Sequence, residues 1–114
     1  MGDGTATIGE LRDRVRQFVR ARDWERFHSP KDLAMAISIE ASELLEQFLW
    51  RWPIPASKLS PEDRVSAAEE LADILIYGLS FANALELDVS DAVLGKLAKD
   101  EAEYPVARFR GRAP

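Results

Sequence analysis

Apolar residues in this chain recur every three or four positions, and no segment alternates apolar with polar residues over a useful length. Ile8, Leu11, Val15 and Phe18 show the pattern near the start. Residues at that spacing lie on one face of an α-helix, whereas a half-buried β-strand needs a period of two. The periodicity therefore predicts an all-α fold.

Two Ser-Pro steps mark where the long helices begin. Ser29 and Ser60 are each followed by proline, with an aspartate three positions after the serine. Serine caps a helix, proline fits its first position, and an acid favours its positive end. We expect helices from about residue 30 to 51 and from about residue 61 to 86.

Shorter helices flank this long pair. Thr7, with Glu10 three residues later, has the form of a capping box for a first helix. Asp88 begins a last helix, which Pro105 stops. The sequence therefore predicts four helices joined by short loops.

The composition sets the class of protein. A length of 114 residues predicts one domain, with flexible tails at residues 1–6 and about 106–114. The net charge of −5 argues against binding a nucleic-acid polymer. With no cysteine, cysteine-ligated zinc is excluded. With neither a signal-peptide pattern nor a long apolar run, we expect a cytoplasmic protein without membrane contact.

Two acid pairs stand out on the predicted long helices. Glu40 with Glu43, and Glu70 with Asp73, each have the spacing that shares a helix face. One such pair usually lies on a solvated face. A second alternative is a di-iron or di-manganese carboxylate bundle, which needs Glu-x-x-His on two of its helices. The only histidine, His28, lies in a loop, so the sequence gives this alternative little support.

Apolar segments beside both pairs favour a metal site over a solvated face. The first pair follows "LAMAISI", and the second precedes "ILIYGLSFA", so we expect the third helix to be buried between others. Four carboxylates facing one another there would repel unless a cation joined them. Mg²⁺ suits such all-oxygen ligands.

Several segments together resemble the all-α nucleoside triphosphate pyrophosphohydrolases, the MazG-like superfamily, and especially its dCTP pyrophosphatase branch. The likeness covers about residues 8–111. Its motifs are "RDWERFHSPKDLAMAISIEASELLEQFLW", "EELADILIYGL" and "DAVLGKLAKDEAEYPV". The family signature, E-x-x-E followed by E-x-x-D, falls on Glu40, Glu43, Glu70 and Asp73.

The resemblance implies a four-helix MazG-like bundle that is completed by association of subunits, as a homodimer or homotetramer. It also implies a Mg²⁺-dependent hydrolase, with Mn²⁺ as an alternative metal. The enzyme would cleave dCTP or a modified cytidine nucleotide into the monophosphate and pyrophosphate. The four signature acids would bind metal, and one of them, or Glu46, would orient or deprotonate water.

Further residues inside the matched motifs are candidates for contacting the nucleotide. Flat aromatic surfaces stack on a base, which favours Trp24, Trp50 and Tyr77, with His28 able to form a hydrogen bond. Trp52 has no such support and is assigned to packing. The candidates for contacting phosphate or completing the pocket are Lys31, Lys96 and Tyr104.

The last helix departs from the family pattern. Where the family commonly has asparagine and arginine, in K-x-x-x-N-x-x-R-Y-P, this chain has Asp100 and Glu103. Acids at these positions would repel phosphate. The alternative hypothesis is therefore a catalytically weakened nucleotide-binding or interaction module of the same fold.

Overall fold

The computed structural model describes residues 1–114 and contains helices and no strands, so the all-α prediction is confirmed. The four predicted helices are α1, α2, α3 and α4, and a one-turn helix, α5, follows. Their bounds are α1 Ile8–Ala21, α2 Pro30–Glu46, α3 Pro61–Leu85, α4 Val89–Glu103 and α5 Val106–Phe109. One-turn 3₁₀ helices lie at Glu25–Phe27 and Ala56–Lys58.

The predicted starts of the long helices are confirmed by their hydrogen bonds. Ser29 Oγ accepts from the Asp32 N–H at 3.1 Å, and Ser60 Oγ accepts from the Asp63 N–H at 3.0 Å. Asp63 also accepts from the Ser60 N–H, which completes a capping box. Thr7 caps α1 through the Glu10 N–H, although the reciprocal bond of the predicted box is not formed.

Helix α2 ends earlier than the sequence predicts, at Glu46 instead of about residue 51. The next residues form tighter turns, in which the Phe48 N–H bonds to the Leu45 carbonyl. In place of further α-helical hydrogen bonds, side chains of this segment bond to α3. The Gln47 side chain donates to the Ser66 carbonyl at 3.2 Å, and Arg51 pairs with Asp63 at 3.1 Å.

Helix α3 is the centre of the packing, because α1 and α2 both lie against it. Contacts between α2 and α3 join Gln47 to Ser66 at one end of α2 and bring His28, just before α2, near Ser80 at the other. The two helices are therefore antiparallel. Leu33, only 1% exposed, is the most buried core side chain.

The expected burial of α3 is wrong for the isolated chain. Only Ser80 and Ala82 of this helix are buried, whereas Leu71 and Leu75 are at least half exposed. Two helices cover one side of α3, and α4 packs only sparsely. The apolar residues that the pattern assigned to a core therefore lie on the surface of one chain.

The segments after α2 and α4 also differ from expectation. Trp52, assigned to packing, is 90% exposed, and Trp50 is 89% exposed. Beyond Pro105, the tail without a periodic signal forms α5, where Phe109 packs edge-on against Tyr104 with ring centroids 5.1 Å apart. No helix combines the length and apolarity needed to cross a membrane.

Candidate metal centre

Three of the four predicted acids meet between α2 and α3. Glu40 and Glu43 lie one turn apart on α2, and Glu70 faces them from α3. One carboxylate oxygen from each lies within 4.8 Å of the other two. The antiparallel packing of two i, i+3 patterns thus builds one acidic cluster from distant parts of the sequence.

Asp73 lies beside this cluster but outside the 4.8 Å group. It follows Glu70 by three residues on α3, and its negative charge helps to raise the pKa values of both Glu40 and Glu70. The structure therefore brings three of the predicted ligands within reach of one ion, with the fourth close enough to act on them electrostatically.

Two oxygens of the cluster lack any hydrogen-bond partner. Glu40 Oε2 and Glu70 Oε2 are both buried and unsatisfied. An unpaired buried polar atom is costly, and most such atoms in folded proteins have a partner. A hard divalent cation accepts such an all-oxygen donor set, so the residues present fit a metal ion.

The electrostatics agree with the geometry. Burial, contact with Glu43, and the negative charges of Glu43, Asp73 and Glu70 together raise the pKa of Glu40 to about 7. Burial, followed by the charge of Glu43, also raises the pKa of Glu70. The carboxylates therefore resist ionisation next to one another.

Glu46 is not part of the cluster. It is the last residue of α2, lies exposed, and follows Glu43 by one turn. Its predicted role, to orient or deprotonate the attacking water, therefore stays a prediction.

The aromatic candidates lie at different places around the fold. Trp24 packs edge-on against Phe18 of α1, with ring centroids 5.7 Å apart. Tyr77 is half-buried one turn beyond Asp73, and Trp50 is exposed in the loop after α2. His28 lines a separate cavity between α1 and α3. The single chain does not gather these side chains into one pocket.

The candidates for phosphate contact lie away from the acids in sequence. Lys31 is exposed in the first turn of α2. On α4, Lys96 donates to Asp100 at 2.7 Å, and Tyr104 packs against Phe109. Asp100, one of the two departures from the family pattern, is therefore engaged with the lysine that was predicted to meet phosphate.

Sequence reasoning missed the cavity that contains His28. Its lining includes Arg16, Arg20, Ser80 and Asn83. The i, i+4 spacing of Arg12, Arg16 and Arg20 was a local signal, but the sequence did not reveal that Ser80 and Asn83 of α3 lie opposite them.

A family model described as the MazG-like family matches residues 35–113, a range that includes all the acids of the cluster. The chain belongs to the MazG-like family. Family membership and the acidic cluster together suggest a divalent metal.

Individual relatives of this MazG-like chain agree with that assignment. It is 39% identical over 110 residues to dCTP pyrophosphatase 1 of Bos taurus, covering 94% of this chain and 64% of that protein. For dCTP pyrophosphatase 1 of Homo sapiens, identity is 37% over 102 residues, covering 87% and 59%. The chain thus spans less than two thirds of the length of these curated relatives.

A solved structure has the same fold. The crystal structure of a pyrophosphatase from Archaeoglobus fulgidus matches with a TM-score of 0.80 and 36% sequence identity. The match covers 92% of this chain and 98% of that one.

Proposed function

We propose that this MazG-like chain is a divalent-metal-dependent nucleoside triphosphate pyrophosphohydrolase. The observation that carries the proposal is the pair of buried, unpartnered oxygens, Glu40 Oε2 and Glu70 Oε2, beside Glu43. The names of the relatives, dCTP pyrophosphatase 1 and pyrophosphatase, support the class of reaction. The reaction would split the bond between the α- and β-phosphates, yielding a monophosphate and pyrophosphate.

The four signature acids are the proposed metal ligands, namely Glu40, Glu43, Glu70 and Asp73. Mg²⁺ is the proposed metal and Mn²⁺ the alternative, because both prefer oxygen ligands. A bound divalent ion would offset the charge of the triphosphate, polarise phosphoryl oxygens and lower the pKa of an attacking water. The chain itself would supply the ligand oxygens from two helices. One of its carboxylates would also orient the water or accept its proton, and Glu46 is a further candidate for that role.

For the nucleotide itself, we propose dCTP or a modified cytidine triphosphate. The base would stack on Trp24, Trp50 or Tyr77, with a hydrogen bond from His28. The phosphates would meet Lys31 and Lys96, and Tyr104 would lie near them. These contacts follow from the family motifs and from the aromatic and cationic chemistry of the side chains.

A nucleotide panel tests the proposal directly. Purified protein is incubated with Mg²⁺ or Mn²⁺ and each common dNTP and NTP, together with 5-methyl-dCTP, and pyrophosphate release is measured. We expect release from cytidine nucleotides and none with EDTA. The Glu70→Gln variant, purified in the same way, controls for a contaminating phosphatase. No release from any nucleotide at high enzyme concentration would contradict the proposal.

We also propose that the chain works as a homodimer or homotetramer. Its radius of gyration is 17.0 Å, compared with about 13 Å for a compact domain of this length. Only 4 of 114 residues are buried, and apolar side chains such as Leu75 and Leu94 are exposed. A second copy covering them would supply the burial that one chain lacks.

One observation favours a second candidate function, a nucleotide-binding or interaction module with weakened turnover. Asp100 forms an ion pair with Lys96, so the lysine's charge is partly used within α4, and Glu103 adds a further negative charge three residues later. This module would still bind metal and nucleotide. We therefore expect Mg²⁺ with dCTP to raise its Tm although no pyrophosphate is released.

A further inference from the structure

A cavity of about 270 Å³ lies between α1, the 3₁₀ turn at Glu25–Phe27 and α3. The polar side chains lining it are Arg16, Arg20, Glu25, His28, Ser80 and Asn83. Ser80 follows Asp73 by seven residues on α3, or roughly 10 Å along the helix. The cavity is thus separate from the acidic cluster, and no carboxylate of that cluster lines it.

Asn83, which lines this cavity, binds the side chains of Arg12 and Arg16. Its Oδ1 accepts from Arg12 Nε at 3.1 Å and from Arg16 Nη2 at 2.9 Å, while its Nδ2 donates to the Arg12 carbonyl at 3.2 Å. Two guanidinium groups therefore share one neutral oxygen. The amide fixes their positions without neutralising them, and like charges held this close repel. Arg16 also pairs with the exposed Asp13 at 2.8 Å, and Arg12 donates to the Leu87 carbonyl and does not line the cavity. Of these two arginines, only Arg16 can therefore contribute to the cavity, and its charge is partly offset.

The cavity also has more free donors than acceptors. Arg20 Nε donates to Glu25 Oε1 at 2.5 Å, but its two terminal nitrogens have no hydrogen-bond partner. Ser80 is only 6% exposed, and neither its hydroxyl nor the His28 ring is hydrogen-bonded. Glu25 is the only acid in the lining, and its carboxylate already accepts a hydrogen bond from Arg20.

We infer that this cavity binds a phosphate group, either free phosphate or the 5′-phosphate of a nucleoside monophosphate. A phosphate offers several acceptor oxygens in different directions, and arginine binds it with paired, charge-assisted hydrogen bonds. Arg16 and Arg20 would contribute from α1 and Ser80 from α3. His28, which also lines the cavity, is not needed for this contact and keeps its proposed role toward the base. This binding needs no metal and does not depend on the proposed catalysis.

The test is a calorimetric titration of the full chain in EDTA, where phosphate cannot reach the acidic cluster through a metal ion. Inorganic phosphate and dCMP are titrated separately. We expect saturable binding that the R16Q and R20Q variants weaken about 10-fold or more, since each loses a charge-assisted contact. The E25Q variant should bind more tightly, because it removes the only carboxylate that lines the cavity at little cost to the fold.

The R14Q variant is the matched control, since Arg14 lies on the same helix but does not line the cavity. Its affinity should equal that of the unmodified chain. Tighter binding of dCMP than of phosphate, lost in R16Q, would identify the nucleotide as the source of the phosphate, and equal affinities would identify free phosphate. Absence of binding, equal weakening by R14Q, or weaker binding by E25Q would overturn the inference.

Discussion

Glu40 and Glu70 each have a half-buried carboxyl group with one oxygen that no donor reaches. The two residues lie 30 positions apart in the sequence, and each is paired locally with another acid, Glu43 or Asp73. Partly burying several carboxylates next to one another without a donor destabilises the folded chain, and protein cores usually avoid it. A cation bound between these carboxylates would remove the repulsion, and three predictions follow from this.

The first prediction concerns stability without metal. Glu40→Gln removes one negative charge from the cluster while keeping the shape of the side chain, so it should raise the Tm in EDTA. Adding Mg²⁺ or Mn²⁺ should raise the Tm of the unmodified chain and have little effect on the variant. Thermal denaturation measures both effects.

Glu69→Gln is the matched control for this experiment, because Glu69 is the exposed neighbour of Glu70. It should leave the response to metal unchanged. An equal gain in Tm on adding metal to the Glu40 variant would argue against a metal site at this cluster.

The second prediction concerns pH in the absence of metal. The pKa of Glu40 rises from 4.5 to about 7 on folding, so between these values the folded chain binds more protons than the unfolded one. Stability should therefore fall as pH rises from about 4.5 to 7. In EDTA, the Tm difference between Glu40→Gln and the unmodified chain should widen over this window and then level off; a constant difference would contradict it.

The third prediction concerns turnover. Alanine at Glu43 or at Asp73 should lower pyrophosphate release by at least about 100-fold, since a metal ion contributes several kcal/mol to such reactions. Folding should be preserved, which circular dichroism and the Tm in EDTA would check. Retained activity in both variants would show that the metal lies elsewhere.

At the scale of the helix, the capping residues define where the acid pairs lie. Ser60 and Asp63 bond reciprocally at the start of α3, and Arg51 joins the same Asp63 from the loop after α2. The start of α3 therefore also holds the first part of the α2–α3 connection. The bond between Arg51 and Asp63 lowers the pKa of that carboxyl, which keeps it ionised for both contacts.

The fourth prediction tests this cap. Ser60→Ala removes the acceptor for the Asp63 N–H and should cost about 1 kcal/mol of the free energy of unfolding, or roughly 4 °C in Tm. Ser57→Ala is the control, because Ser57 is exposed and makes no side-chain hydrogen bond. Urea denaturation measures the difference, and equal stability of the two variants would rule out a stabilising cap.

The whole chain is extended for its length and keeps a large apolar surface. Helix α4 packs sparsely on the rest of the chain, and its Leu94 and Leu97 are at least half exposed. Such surface is expected to be buried against something, and the proposal of self-association assigns it to a second copy. The site candidates on α4 would then lie near another subunit.

The fifth prediction tests self-association. Leu94→Glu places a charge on α4 at a side chain that is 65% exposed in one chain, so it should disrupt subunit contact without disturbing the fold of the chain. Light scattering coupled to size-exclusion chromatography should show a multiple of 12.8 kDa for the unmodified protein and a smaller species for the variant. Lys99→Glu, at an exposed polar position of the same helix, should keep the larger mass. A monomeric unmodified protein would contradict the proposal.

The sequence alone was sufficient for the local features of this protein. Periodicity and the serine caps predicted four helices, because a helix start depends on residues within one turn. The i, i+3 spacing likewise placed Glu40 with Glu43 and Glu70 with Asp73. The predicted end of α2 was wrong because Gln47 and Arg51 bond to α3, and nothing near them in the sequence indicates those partners.

Only the tertiary structure decided which side chains meet. The register of α2 against α3 brings Glu70 within reach of Glu40 and Glu43 and leaves Asp73 just outside. The packing of α1 against α3 places Asn83 between Arg12 and Arg16 and opens the cavity beside them. These contacts depend on how separate helices pack, whereas the helices themselves depend on neighbours within a few residues.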